Sequence, residues 1–345
     1  APPLTFTASG TNSPDNAFLT EIATAIGASG SLDLAGTFTS DSPPKVFEGI
    51  DVEVWSELKD LYFSQSFSTL FQESFDSGRY FFEADQGLRF RSPLSVEWKG
   101  PHKPPELDPL PADIRIDHVF IVSCKNVSKI LRNASPASVF DGALNSQKKS
   151  SQDWYQETAQ EQYCQLLSEV VSLYGLTGFP VSPNELSPTQ RDQLKNALKS
   201  GWPKSLEKTV KAFIHEVGHQ SASRLREKLG TKRDQEQFYW KILRCQSSPY
   251  FILGNQPSGP IRLRVLTPWD IQHLYEFQSF ELEPGQTGQP EVEWKAQHVD
   301  KETQEIRTTQ GHIEIRWSHG KFCGSPEAKI YLDTPHANST GYIPI

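Results

Sequence analysis

The stretch DIRIDHVFIVSCK, residues 113–125, brings an acid, a hydroxyl, a thiol and an amine to the two ends of one apolar run. Val119 to Val122 is continuously apolar, as a central strand covered on both faces would be. A lysine at its tip, Lys125, must reach water, a carboxylate or a ligand phosphate, because an unpaired buried ammonium is costly. Carboxylates lie close in sequence: Asp113, Asp117 and, on the preceding VEWKG segment, Glu97. Hard oxygen ligands of this kind hold Mg²⁺ against a phosphate. A lysine beside them orients water and offsets the charge that develops in phosphoryl transfer.

Geometry limits which acid takes part. On one straight strand Asp117 and Lys125 would stand roughly 26 Å apart at about 3.3 Å per residue, too far to share a metal. A tight turn at Asp117-His118 changes this. Ile116 then pairs with Val119, and Asp113 lands beside Val122 and Ser123. Asp113 becomes the partner acid. Glu97 is the other candidate, if its strand neighbours the Ser-Cys-Lys strand.

DIRIDHVFIVSCKN resembles the core of the PD-(D/E)xK nuclease superfamily, as in type II restriction endonucleases, in the variant that carries Ser-x-Lys. The resemblance implies Asp113 as first metal ligand and Lys125 as catalytic lysine. It puts Ser123 at the second-acid position and lets the Cys124 carbonyl complete the metal shell. Glu21, in NAFLTEIATAIG, resembles the acid that some members bring from the helix before the sheet. The implied activity is Mg²⁺-dependent hydrolysis of DNA in a restriction or phage-defence system. Two departures stand out: Ala112 precedes Asp113 where the family often has Pro, and Ser123 removes one carboxylate. Just beyond, NVSKILRNASPASVF adds Lys129 and Arg132, which would contact the DNA backbone. Further on, Arg262, Arg264, Arg316, His319 and Lys321, with Trp294 and Trp317, would make a basic strip for nucleic acid. Cross-strand pairing with Glu291, Glu293 and Glu314 is the structural alternative.

A second constellation competes. FIHEVGHQ, residues 213–220, is a literal His-Glu-x-x-His. On a helix, His215 and His219 share one face and would bind Zn²⁺, with Glu216 as general base. Glu236, in the following EQFYWKIL, is the candidate third ligand. This set implies a zinc metallopeptidase. An ordinary amphipathic helix with both histidines in solvent accounts for the same spacing. In a third reading both motifs are accidental, and the chain is a non-catalytic DNA-binding or scaffold protein.

The elements that must position these residues follow from periodicity. Residues 17–27 have helical spacing, and so does 56–75, where Phe63, Phe67, Leu70 and Phe71 fall on one face. RYFFEAD, LSVEWKG and HVFIVSCK read as strands. Helical patterns dominate from about residue 145 to 245, with stops at Gly175, Gly201 and Gly230. Strands return in IRLRVLTP, PEVEWKAQ, GHIEIRWSHGKF and EAKIYLDTP. The expected fold is mixed α/β, α+β-like: a central mixed sheet flanked by helices, with a C-terminal β-rich part. The expected division is an N-terminal arm with helices (1–76), a nuclease-like sheet with a helical region (77–250), and the β-rich part (251–345).

The totals exclude some classes. The chain has 345 residues, 36% of them hydrophobic, and a formal net charge of −8. A surface that is basic all over is excluded, although 34 Lys and Arg remain for a local groove. No run approaches the roughly 18 apolar residues of a membrane span, and no signal-peptide pattern opens the sequence. Four scattered cysteines, at 124, 164, 245 and 323, point to reduced thiols and a cytoplasmic setting. A homodimer would suit double-strand cleavage.

Overall fold

A computed structural model describes residues 16–100, 112–126, 130–145, 153–199, 201–256, 259–285, 288–318 and 322–345. Along the chain come α1 (Asn16–Ala28), α2 (Leu34–Thr37), β1 (Phe47–Glu48), α3 (Val52–Phe63), α4 (Ser68–Glu83), β2 (Val96–Trp98), β3 (Ile114–Ile116), β4 (Phe120–Asn126) and β5 (Ile130–Ala134). A helical stretch follows: α5 (Pro136–Phe140), α6 (Trp154–Leu173), α7 (Pro188–Ala197), α8 (Glu207–Lys228) and α9 (Lys232–Ile242). The remainder is β6 (Tyr250–Gln256), β7 (Gly259–Val265), α10 (Pro268–Leu274), β8 (Tyr275–Pro284), β9 (Glu291–Asp300), β10 (Ile306–Trp317), β11 (Pro326–Leu332) and β12 (Tyr342–Pro344). The fold is the mixed α/β arrangement that the patterns predict.

Helix starts fall where the sequence supplies a side-chain acceptor for the orphan amides of the first turn. Asp51 caps α3, Ser135 caps α5 and Asp153 caps α6. Ser187 with Gln190, and Thr231 with Asp234, form reciprocal capping boxes at α7 and α9.

The chain forms two compact units, and each takes more than one stretch of sequence. The first contains residues 1–128, 245–269 and 341–345; the second contains 129–244 and 270–340. These units interleave along the chain, unlike the three consecutive segments expected.

The first unit holds a seven-stranded mixed sheet in the order β1-β2-β3-β4-β6-β7-β12. β2, β3 and β4 form an antiparallel meander, and β4 pairs in parallel with β6. A parallel pair needs a long crossover, and here the crossover carries residues 129–244 of the other unit. α1 and α4 pack on each other and against one face of this sheet. Val96, Ile114, Ile116, Val122 and Leu253 from the strands meet Ile22, Trp55, Phe71 and Phe81 from the helices, all buried. Each such side chain contributes roughly 1.5–3 kcal/mol of hydrophobic stabilisation.

Two sequence expectations fail in this unit. The helix expected over 56–75 is broken at Ser64–Phe67, where Gln65 takes φ 60°, so Phe63 ends one helix and is 54% exposed. RYFFEAD, expected as a strand, runs through the end of α4. Its two phenylalanines, Phe81 and Phe82, are buried as the apolar stripe of that helix, and Phe81 lies edge-on to Phe120 and Phe251 of the sheet. Adjacent aromatics satisfy a strand pattern and a helix stripe equally well over so short a window.

The second unit holds an antiparallel sheet in the order β5-β11-β10-β9-β8; the β-rich stretch expected over 251–345 is divided, since β6, β7 and β12 join the sheet of the first unit. α8 and α9 pack on β8, α8 also packs on β9, and α6 packs on α8. Trp154, Tyr155, Tyr163, Phe213, Tyr239 and Trp294 are almost fully buried there. Among the described residues no helix is long and apolar enough to cross a membrane.

Candidate functional site

The turn that the site requires is present. Asp117 and His118 take φ 50° and 56°, and the Val119 N–H donates to the Ile116 carbonyl. Positive φ at both central residues gives the twist that a tight hairpin needs. A third loop residue shifts the register, so Ile116 pairs with Phe120 instead of Val119. The Asp117 side chain fixes the turn from outside, accepting from the Leu94 and Ser95 amides at 2.7 and 2.9 Å. Asp117 is therefore a turn residue, remote from Lys125 along the strand.

The same pairing carries Asp113 to Ser123 and Cys124. Its Oδ2 accepts from the Cys124 N–H at 2.6 Å and from the Ser123 hydroxyl at 3.1 Å. Its own N–H donates to the Val122 carbonyl, and its carbonyl accepts from the Lys99 N–H. Backbone and side chain thus lock one carboxylate at the end of β3.

Alternation along the strands sorts the residues by face. Val96, Trp98, Ile114, Ile116, Val122 and Cys124 belong to the apolar layer under α1 and α4. Glu97, Lys99, Asp113, Arg115, Ser123 and Lys125 take the other face, in rows set by Glu97 opposite Arg115 and Arg115 opposite Ile121. Glu97 is held by Lys99 at 2.8 Å and Arg115 at 3.8 Å, each of the three side chains retaining between 22% and 28% of its accessible surface. Glu48 of β1 pairs with Glu97 on the same face, so among the described residues of β1 to β4 this face carries three cations, Lys99, Arg115 and Lys125, and three carboxylates, Glu48, Glu97 and Asp113. Lys99 and Arg115 were not among the residues expected from sequence. Their even spacing from Glu97 and Asp113 was the signal that could have found them.

Lys125 sits opposite Gly254 of β6. A Cβ at position 254 would collide with the Lys125 carbonyl oxygen, so only glycine lets the two backbones approach as they do. Glu21 on α1 has a different neighbourhood from the one expected. Its carboxylate accepts from the Trp98 indole N–H at 2.7 Å, on the helix-covered side of the sheet.

The expected nucleic-acid contacts divide between the two units. Lys129, His319 and Lys321 lie outside the described residues. Arg262 lies over the Tyr80 ring at 4.1 Å and Arg264 donates to Gln86, both in the first unit. Arg316, in the second, pairs with Glu327 across the strands at 3.0 Å and with Glu314 at 3.7 Å. The single basic strip is thus replaced by local pairing, because β7 and β10 belong to different sheets. Arg132 is on β5, where burial and the nearby Arg244 hold its guanidinium below its ordinary pKa.

The His-Glu-x-x-His segment is helical, in the middle of α8. His215 and His219 are both exposed and lie nearly parallel, with ring centroids 6.1 Å apart. Glu216 accepts from Gln220, and Glu236 accepts from Gln272 at 3.4 Å. Among the described residues no three His, Cys, Asp or Glu side chains converge in a way that could hold a metal. For the zinc reading this leaves two solvent-facing histidines without a third ligand. For the Mg²⁺ reading it means that no third such side chain among the described residues joins Asp113 and Glu97.

No protein-family model, curated protein or solved structure matches this chain.

Proposed function

We propose that the chain is a Mg²⁺-dependent DNA endonuclease working from the face of the β2–β3–β4 meander that points away from α1 and α4. The observation that carries this reading is the Asp113–Ser123–Cys124 hydrogen-bond set, with Lys125 on the same strand face. An acid on one strand and a polar-x-Lys triplet on its hairpin partner is the grouping that the PD-(D/E)xK resemblance calls for.

Mg²⁺ is commonly bound through one or two carboxylates, with waters and substrate phosphates filling the rest of its octahedron. Asp113 is one such carboxylate, and Ser123 and the Cys124 carbonyl are hard oxygen donors beside it. These groups would hold the ion, which supplies Lewis-acid stabilisation of a phosphate oxygen when bound. The chain's own residues do the rest. Cys124 N–H and Ser123 fix the Asp113 carboxylate before substrate arrives, removing a reorganisation cost. Lys125 orients the attacking water and offsets negative charge on the phosphoryl oxygens. Lys99 and Arg115, both paired with Glu97, would place positive charge beside the DNA backbone.

Four unbridged thiols support a reducing, cytoplasmic setting. A restriction or phage-defence role would use two copies, one for each strand. The test is plasmid cleavage in Mg²⁺ by the intact protein beside Lys125→Ala. Cleavage lost in the variant, with unchanged thermal unfolding, is the expected result. Cleavage that survives Lys125→Ala would remove the site assignment.

A further inference from the structure

The second unit contains a cavity of about 550 Å³ that the nuclease reading does not use. Its walls are aromatic. Trp317 stacks on Phe213 with centroids 5.6 Å apart and planes 5° from parallel. Trp202 leans on Trp317 at 6.2 Å and meets Phe322 edge-on at 5.2 Å. Trp202 is 36% exposed, so an indole is left partly unpacked at the cavity wall.

Lys195, in the last turn of α7, and Lys199, just past its end, also line the cavity. Both are exposed, and neither makes an ion pair among the described residues. Arg316, which also lines the cavity, is already engaged by Glu314 and Glu327. Gln289 adds an amide that can both donate and accept. In a chain of net charge −8, two unpaired lysines beside an aromatic slot select a particular chemistry: a planar ring that carries an anionic group.

We infer that this cavity binds a nucleotide, with the base against Trp202 and Trp317 and the phosphate on Lys195 and Lys199. The volume is within the range of small-molecule sites. Base stacking on aromatic side chains tolerates any base, and Gln289 provides one contact to a base edge. The ligand can reach the cavity as a free nucleotide or as one unstacked unit of a DNA strand. The inference is independent of Asp113 and Lys125, which lie in the first unit.

The experiment uses calorimetric titration of the intact protein with deoxynucleoside monophosphates and, separately, with a short single-stranded oligonucleotide. Each titration is repeated on Trp202→Ala and on Lys195→Glu/Lys199→Glu. Either ligand should bind saturably, and both variants should weaken binding by about tenfold or more. The parent nucleosides, lacking phosphate, should bind more weakly than the monophosphates. Binding of monophosphates assigns a free nucleotide, whereas binding of the oligonucleotide alone assigns a strand unit. Monophosphate binding should persist in EDTA, which would empty the Mg²⁺ site of the nuclease reading, and this separates the two sites. No saturable binding of either ligand, or binding indifferent to both variants, overturns the inference.

Discussion

The PD-(D/E)xK resemblance puts Ser123 at the position of a second metal-binding carboxylate, and its hydroxyl donates to Asp113 at 3.1 Å. Ser123 is 1% exposed. A carboxylate placed there by Ser123→Asp would face Asp113 across a few ångströms of partly desolvated space. Like charges about 4 Å apart repel by about 4 kcal/mol at a near-surface dielectric. The variant should therefore unfold several degrees below the parent in EDTA. Mg²⁺ should restore most of the loss by mass action, because the cation binds only the folded pair. A midpoint that Mg²⁺ leaves unmoved would count against a cation site at Asp113, whatever the cleavage assay shows. The residue-level site was partly legible in the sequence. A straight strand would hold Asp117 and Lys125 roughly 26 Å apart, which left either a turn at Asp117-His118 or a contribution from Glu97, and the turn is present. The extra loop residue was not legible, since the φ values of Asp117 and His118 depend on the Leu94 and Ser95 amides that Asp117 captures. Nor was the grouping of Lys99 and Arg115 with Asp113, which needs the register of three strands at once.

At the scale of elements, the helices were the easiest to read: α6, α7 and α9 start at the side-chain caps Asp153, Ser187 and Thr231, and α6, α7 and α8 stop within four residues of Gly175, Gly201 and Gly230. The harder features depend on distant partners. β6 pairs with β4 across more than one hundred residues of intervening chain, and no local pattern in FILGNQ announces that register. α1 and α4 carry another such feature. Gly27 and Gly78 face each other across the helix pair, where a Cβ on Gly78 would strike the Thr24 carbonyl and one on Gly27 the Phe75 carbonyl. In isolation, glycine within a helix costs about 1 kcal/mol relative to alanine. Here the sign reverses, because the absent side chains let the two backbones close. Gly78→Ala should gain that propensity and lose more to overpacking, which costs typically about 1–3 kcal/mol and more where the clash is with backbone. The expected outcome is net destabilisation in denaturant unfolding, with hydrogen exchange accelerated first in α1 and α4. A Gly78→Ala protein more stable than the parent would show that the helices do not cross as closely as described.

For the whole molecule, acid stability depends on a fully buried group, His298, and a half-buried one, Asp153, both in the second unit, which work against each other. His298 is fully buried among Tyr239, Phe277 and Thr340, and burial pushes its pKa down from 6.5 to about 4. The unfolded chain therefore takes up a proton first as the pH falls. His298 leaves stability untouched above pH 6.5 and removes about 3 kcal/mol between there and pH 4. Asp153 has the opposite sign. Burial raises its carboxyl from 3.8 to about 6, against the lowering effect of the Tyr155 and Gln156 amides. Its folded form keeps a proton that the unfolded chain has lost, so its contribution is full below pH 3.8 and disappears as the pH rises through 6, again by about 3 kcal/mol. The two slopes cancel over nearly the same window, and neither group reveals itself in the parent. Asp153→Asn keeps an oxygen to accept the Tyr155 amide at the α6 cap and removes the titration. It should be more stable than the parent near pH 7, converge on it near pH 4, and so lose stability more steeply on acidification. His298→Gln should do the reverse, gaining relative to its own neutral-pH value as the pH falls. Denaturant unfolding of the three proteins across that window decides the matter. Three parallel profiles would mean that neither group is desolvated as its burial requires.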